Sequence, residues 1–175
     1  MFAKSTVWTS VLGVSALGAG AASAGTVTLE VEVPRLNVAS YHKPYVAGWI
    51  EDASGAHKGD LFVWYDVAMR NKEGNKWLKD MRAWWRKSGR NLDMPVDGLS
   101  SATRAPGRHT LKFDTNHKAL KGLASGEYVL RVEASREHGG AEVVKVPFKW
   151  DAKKAAAASV KGSVELGEVK FNYKP

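Results

Sequence analysis

Alternating apolar and polar residues run through much of the chain and predict β-strands. The clearest run is 26–33, where four apolar residues alternate with polar ones, which is the period of a half-buried strand. Residues 45–51 are more continuously apolar, as expected of a central strand. Similar patterns predict further strands at 61–69, 109–113, 126–135, 142–150 and 164–173.

A different period appears in the middle of the chain. Three Trp, one Leu and one Met between positions 77 and 85 are spaced as one face of a short helix, and Asn75 is suited to cap its N-terminus. We expect this Trp-rich helix to pack across an end of the sheet. A loop rich in Gly, Ser, Asn and Asp follows at 87–108, and its length favours a functional role.

The order of these elements predicts the fold class. Short strands separated by turns, with one short Trp-rich helix, favour an all-β domain, an immunoglobulin-like β-sandwich of about seven to eight strands. The Ala- and Lys-rich residues 152–162 are expected to be a spacer before the last strand. No internal repeat is visible in the sequence.

The N-terminus has the pattern of a secretory signal peptide. Lys4 precedes an uncharged, largely apolar stretch that ends in the small residues Ala22, Ser23 and Ala24. A membrane anchor is the competing interpretation, but no cluster of Lys or Arg follows the stretch. We therefore expect cleavage after residue 24, a mature single domain at 25–175 without a transmembrane segment, and a periplasmic location.

Composition narrows the chemistry. The 175 residues include no Cys, which excludes disulfides, thiolate metal sites and haem attached through Cys. The formal net charge of +8 predicts anionic partners. In an exported protein these are phospholipid headgroups, phosphate-bearing cofactors or acidic proteins rather than nucleic acid.

The most specific short motif of the sequence lies in the loop at 87–108. Residues 97–103, Asp-Gly-Leu-Ser-Ser-Ala-Thr, resemble the sequence recognised by bacterial flavin transferases, Asp-x-x-Ser/Thr-Gly-Ala-Thr/Ser. The resemblance implies that the phosphate of FMN is esterified to Thr103, and Arg104 and Arg108 are close enough in sequence to pair with that phosphate. Ser101 stands where the motif has Gly, so this member has either tolerated the change or lost the flavin. The residues that match the motif are Asp97, Ser100, Ala102 and Thr103.

A wider resemblance covers nearly all of the predicted mature chain. It is carried by the segments at 41–46, 49–52, 77–86, 102–107, 125–128 and 133–140. Together these are similar to an uncharacterised periplasmic family catalogued as domain of unknown function 2271. Its members tend to be encoded near flavin transferases and membrane proteins of the PepSY type. The resemblance implies those two partners and a role in extracytoplasmic redox or metal uptake, without an established activity.

Two further groups of residues are candidates for ligand binding. His42 and His138 lie in polar turns and could form a metal or haem site together with Glu133, Glu137 or Tyr41, whose side chains are suitable ligands. Solvated turn residues are the alternative interpretation. Either Trp84 or Trp85, flanked by Arg, could stack on a flavin or porphyrin ring.

These observations support one leading hypothesis and two rivals. The first is a periplasmic electron-transfer protein that carries FMN on Thr103 and exchanges electrons with a membrane partner in iron or haem metabolism. The second is a non-enzymatic binding module for a metal, haem or a partner protein, and the third is a purely structural adaptor. Hydrolytic catalysis has little support, because the sequence has no Gly-x-Ser-x-Gly elbow, no His-Glu-x-x-His and no phosphate-binding Gly-rich loop.

Overall fold

The computed structural model describes residues 24–175. The predicted signal peptide lies outside the described residues except for its last residue, Ala24. Strands form most of the described chain: β1 Thr26–Val33, β2 Tyr45–Asp52, β3 His57–Trp64, β4 Ser100–Ser101, β5 Gly107–Asp114, β6 Gly126–Ser135, β7 Ala141–Trp150, β8 Ala156–Lys161 and β9 Glu168–Lys174. The helical segments are a 3₁₀ segment at Arg70–Asp80, the α-helix α1 at Arg82–Lys87 and a 3₁₀ turn at Gly89–Asn91.

The strands form two sheets, which confirms the predicted all-β sandwich. One sheet has four strands in the order β5-β1-β9-β8, and the other has five in the order β4-β3-β2-β6-β7. Neighbouring strands are antiparallel except for β3 and β4, which are parallel. None of the helices at 24–175 is long and apolar enough to cross a membrane.

The core between the sheets follows from the alternation in the sequence. In β1 every second residue is buried, and β6 contributes Leu130 and Val132 from the facing sheet. Phe148 and Phe171 stack across the core with ring centroids 4.0 Å apart. Burial of apolar surface at about 25 cal/mol per Å² drives the two sheets together.

The helical region differs from the prediction in form and in place. It is a 3₁₀ segment and a six-residue α-helix that meet at Met81, whose φ of −76° and ψ of 73° interrupt the helix. Asn75 lies inside the 3₁₀ segment and is not a cap; its side-chain amide donates to the Met94 carbonyl at 3.0 Å. The region covers the outer face of the five-stranded sheet instead of an end, because that face is apolar. The second cluster of buried residues formed there contains Tyr45, Ala47, Trp49, Val63, Tyr65, Leu78, Met81, Trp84 and Met94.

Several strand limits also differ from the predictions. β3 covers His57–Trp64 rather than 61–69, because its pairing with β2 reaches back to His57, across irregularities near Gly48 and Ile50 that interrupt the alternation, and ends at Trp64. The last strand, predicted at 164–173, is β9 at Glu168–Lys174. The predicted spacer at 152–162 is wrong in its second half, where Ala156–Lys161 forms β8. Ala158 and Val160 alternate with exposed residues and pack against the core, which is sufficient for an edge strand.

Candidate functional site

A cavity of about 430 Å³ lies where β2 begins and where β3, β4 and β6 end. We call it the Thr103 cavity. Its wall combines aromatic, charged and hydroxyl side chains from five different segments of the chain. The lining residues are Tyr41, His42, Lys43, Tyr45, Asp66, Met69, Trp77, Asp80, Thr103, Ser135 and Glu137.

The pairing of β4 with β3 places Thr103 on this wall. The Val63 amide donates to the Leu99 carbonyl at 2.8 Å, and the Tyr65 amide donates to the Ser101 carbonyl at 3.0 Å. The chain therefore leaves β4 beside the end of β3. There the Thr103 hydroxyl donates to Asp66 Oδ1 at 3.2 Å.

The other residues of the flavin motif do not share this position. Asp97 and Ala102 are exposed and do not line the cavity. The Ser100 hydroxyl accepts a hydrogen bond from the Val96 amide at 2.9 Å and so closes the turn before β4. The Arg104 guanidinium lies 5.5 Å from the centre of the Trp64 ring and faces a different cavity.

Ser101 has no backbone strain that would call for glycine. The non-glycine residues with positive φ in the described chain are Asn71, Lys72 and His138, and Ser101 is not among them. Serine is therefore compatible with the strand conformation observed at the position where the motif has glycine.

The aromatic side chains of the cavity are not the ones predicted. Trp84 is fully buried and its indole N–H donates to Asp60 Oδ1 at 3.0 Å, so it is not accessible for stacking on a ligand. Trp85 is half-buried against the same cluster. Trp77 lines the cavity and is 40% exposed. The spacing of the apolar residues at 77–85 places Trp77 on the buried face only if the helix is continuous. The interruption at Met81 separates Trp77 from that face.

Two tyrosines complete the aromatic wall. Burial raises the pKa of Tyr45 to about 12, and its hydroxyl donates to the Gly74 carbonyl at 3.2 Å. Burial also raises the pKa of Tyr41. The Tyr41 hydroxyl is buried and has no hydrogen-bond partner among the described residues, so both phenols stay protonated at neutral pH.

The two predicted histidines meet beside the cavity. The ring centroids of His42 and His138 are 5.8 Å apart. The Glu137 carboxylate lies between them, 3.4 Å from His42 Nδ1 and 3.6 Å from His138 Nε2. Glu133, the other predicted acidic ligand, is elsewhere, since its carboxylate accepts the amides of α1. Within residues 24–175 no group of three or more His, Cys, Asp or Glu is arranged to hold a metal ion.

A buried ion pair holds the turn that carries Glu137 and His138. Arg136 donates from Nε and Nη2 to the two carboxylate oxygens of Glu165 at 2.9 and 3.0 Å. Glu165 Oε1 also accepts the Gly140 amide at 2.8 Å. The pair is almost fully buried, with side-chain exposures of 6% and 1%. The position of the His138 turn is thus tied to the interior of the fold.

A second carboxylate holds the loop that carries Glu165. Glu142 accepts the backbone amides of residues 163–166 at distances from 2.6 to 3.0 Å, and also the Ser163 hydroxyl at 2.9 Å. These donors stabilise the charged form and lower the pKa of Glu142 to about 2, against the effect of burial. The loop is therefore fixed by a charged group at neutral pH.

Comparison with known proteins gives one match. A family model described as a predicted periplasmic protein (DUF2271) matches residues 26–168, from the start of β1 to the first residue of β9. No curated protein and no solved structure matches the chain.

Proposed function

The chain belongs to DUF2271, a family of predicted periplasmic proteins, and from this premise we propose that it carries FMN on Thr103 and transfers electrons in the periplasm. The observation that supports the proposal most directly is the position of Thr103. The hydroxyl of the motif-like loop lies on the wall of a cavity with three aromatic side chains instead of on an open surface.

The residues of the Thr103 cavity fit a flavin. Its volume of about 430 Å³ is within the range of about 300–1,000 Å³ that is common for sites of small molecules. Tyr41, Tyr45 and Trp77 would hold the ring system. Lys43 would be the cation for the phosphate, on a wall that also carries three carboxylates. Once bound, the flavin would supply the one- and two-electron chemistry that no amino-acid side chain of this chain provides.

The chain's own residues would prepare and protect the attachment point. In the transfer, the Thr103 hydroxyl oxygen would attack the FMN phosphorus of a flavin adenine dinucleotide held by the transferase, the pyrophosphate bond would break and AMP would leave. The hydroxyl loses its proton in this step, and Asp66 Oδ1 is the acceptor that it already contacts at 3.2 Å. Trp77 and the two tyrosines would cover one face of a ring bound in the cavity. The suggested partners, a flavin transferase and a PepSY-type membrane protein active in iron or haem metabolism, rest on the resemblance of the sequence alone.

The proposal is tested by the intact mass of the exported protein after co-expression with a flavin transferase. We expect an added mass equal to FMN less one water on the wild type, none on Thr103→Ala, and retention on Thr103→Ser. Thr110→Ala is the matched control, because Thr110 is an exposed threonine on β5. Ser101→Gly should increase the flavinylated fraction. An unmodified wild type and an unmodified Ser101→Gly variant, beside a transferase shown to be active on another substrate, would contradict the proposal.

A metal-binding module is the second candidate, and the contact between His42 and His138 favours it. The two imidazoles and Glu137 are not arranged around one metal position in the described structure, so their side chains would have to turn towards a shared ion. Their nitrogen and oxygen atoms are ligands that suit Zn²⁺ or Cu²⁺. Titration with Zn²⁺ and Cu²⁺ by calorimetry should then show one site that is lost in His42→Ala and kept in His109→Ala, a histidine on β5. Binding that is equal in the two variants would exclude this site.

A further inference from the structure

β5 is a long strand with one free edge. It stands at the end of the four-stranded sheet and pairs with β1 on its other side along eight residues. The remaining edges of the sandwich are less accessible, because β4 has two residues and because β7 and β8 lie against one another. An edge strand presents unpaired N–H and C=O groups that can pair with another chain.

A groove follows this free edge. One cavity of about 360 Å³ is lined by the six consecutive β5 residues 108–113 and by Trp64 and Arg104. A second cavity of about 380 Å³ continues from Lys112 towards Gly98. The side chains of consecutive strand residues point to opposite faces of the sheet. A cavity that is lined by six consecutive residues therefore lies along the edge of the strand. We call these two cavities the β5 groove.

The groove has the electrostatic character of a site for an acidic ligand. The residues that line its first cavity include two arginines, one lysine and one histidine, and none of them is acidic. The second cavity adds one acidic residue, Asp114. Arg104 and Lys112 form no ion pair with any residue in the described part of the chain, whereas Arg108 contacts Glu30, Glu32 and Glu168. Two cations at the groove therefore lack a counter-charge.

One buried N–H group in the groove has no hydrogen-bond acceptor within the described structure, and two apolar side chains there are only partly covered. Trp64 lines it and is fully buried, and its indole N–H is without a hydrogen-bond acceptor among residues 24–175. Leu111 and Phe113 pack against the core but stay partly exposed. A neighbouring strand would cover these two side chains and would bring a row of backbone groups to the free edge.

We propose that the β5 groove binds an extended, acidic segment of a partner protein, which adds to the four-stranded sheet as a further strand. Backbone hydrogen bonds along β5 would supply affinity, and carboxylates opposite Arg104 and Lys112 would supply selectivity. An acidic strand already pairs with β5 on its other side, where Glu32 of β1 lies opposite Arg108 and forms an ion pair with it at 3.4 Å. This inference is independent of flavin attachment.

Charge and shape favour this occupant over two others. Antiparallel pairing of β5 with a second copy of itself around Thr110 would set Arg108 opposite Lys112, and like charges at opposed positions are unfavourable. Pairing around Leu111 would set Arg108 opposite Asp114, but it would leave Lys112 opposite Thr110 without a counter-charge. A small anion would satisfy the cations but would leave Leu111, Phe113 and the strand edge uncovered. An extended acidic chain satisfies all of these groups together.

The test uses a capped synthetic peptide with the sequence of β1, TVTLEVEV, which is an acidic strand that already pairs with β5 in this fold. Added to the ¹⁵N-labelled mature protein, it should shift the amide signals of 107–114 and the indole signal of Trp64. The double variant R104E/K112E should bind about tenfold more weakly, because two attractive charge pairs become repulsive. The control K145E/K149E changes two exposed lysines of β7 and should bind as the wild type does.

Several results would overturn the proposal. The first is a peptide with Lys in place of both Glu residues that binds as tightly as TVTLEVEV. The second is an unchanged affinity of R104E/K112E for the peptide while its spectrum shows a folded protein. The third is a set of amide shifts confined to β1 and β9, which would indicate that the peptide replaces β1. Displacement of the peptide by millimolar inorganic phosphate or AMP would indicate a small-anion site instead. Concentration-dependent dimerisation through β5 would indicate a second copy as the occupant.

Discussion

The buried pair of Arg136 and Glu165 should be the most sensitive point in the support of the His138 turn. Glu165→Gln keeps the size of the side chain but leaves the Arg136 guanidinium buried without a counter-charge. Removing one partner of a buried pair costs about 3–5 kcal/mol. Gln retains one oxygen for the Gly140 amide, so we expect a loss near the lower limit, about 3 kcal/mol, which lowers Tm by about 6–12 °C in a domain of this size.

The assay is urea and thermal unfolding followed by Trp fluorescence, within a double-mutant cycle. Arg136→Met alone should also destabilise the protein, because it leaves the Glu165 carboxylate buried. The double variant R136M/E165L replaces both charges by apolar groups and should be more stable than either single variant. A loss below about 1 kcal/mol for Glu165→Gln, the range of exposed ion pairs, or a double variant as unstable as the sum of the two single ones would refute the reasoning.

Three further predictions concern the frame around the site. Glu142→Gln should lower the free energy of unfolding by about 2 kcal/mol at pH 7, as measured by urea unfolding. Because the pKa of Glu142 is lowered to about 2, the wild type should keep its full advantage over the variant above about pH 4.5 and lose it as the pH falls towards 2. Trp84→Ala should lower the free energy of unfolding by about 3–5 kcal/mol and Trp77→Ala by about 1 kcal/mol or less, and calorimetry should show a correspondingly larger fall in Tm for Trp84→Ala. Equal falls in Tm would contradict the burial of Trp84 and the exposure of Trp77. Gly48→Ala should cost about 1–3 kcal/mol in urea unfolding, because its Cβ would overlap the Phe62 ring; unchanged stability would show that the ring can move aside.

The strands that were predicted with correct limits are those in which one face is buried and the other is not. β1 has this environment along its full length, and β6 has it except near Glu133, which is buried beneath α1, so the alternation in the sequence reports the structure directly. β2 is buried on both faces because the helical region covers the outer side of the sheet. Its continuous apolar run predicted a central strand without indicating what would cover the second face.

The candidate site was predictable in part. The motif identified Thr103, and the turns identified His42 and His138, because these residues stand in short local patterns. Asp66 and Trp77 were not found as members of the site, since their roles depend on where β3 ends and on the interruption at Met81. Both features arise from tertiary packing on the outer face of the sheet, which no local period in the sequence encodes.

Carboxylates hold the loops of this cysteine-free protein, which has no disulfides. The pKa values of two of these carboxylates, Glu142 and Glu133, are shifted in opposite directions. Glu142 and Glu133 each accept several backbone amides. The pKa of Glu142 is lowered because five donors surround it, whereas burial raises the pKa of Glu133. Acidification from about pH 4.5 towards 2 therefore removes the stabilising charge of Glu142, while the folded state accommodates protonated Glu133. The loop at 163–166 should loosen first, and because Glu165 lies in it, the turn that carries His138 should loosen with it while α1 stays in place.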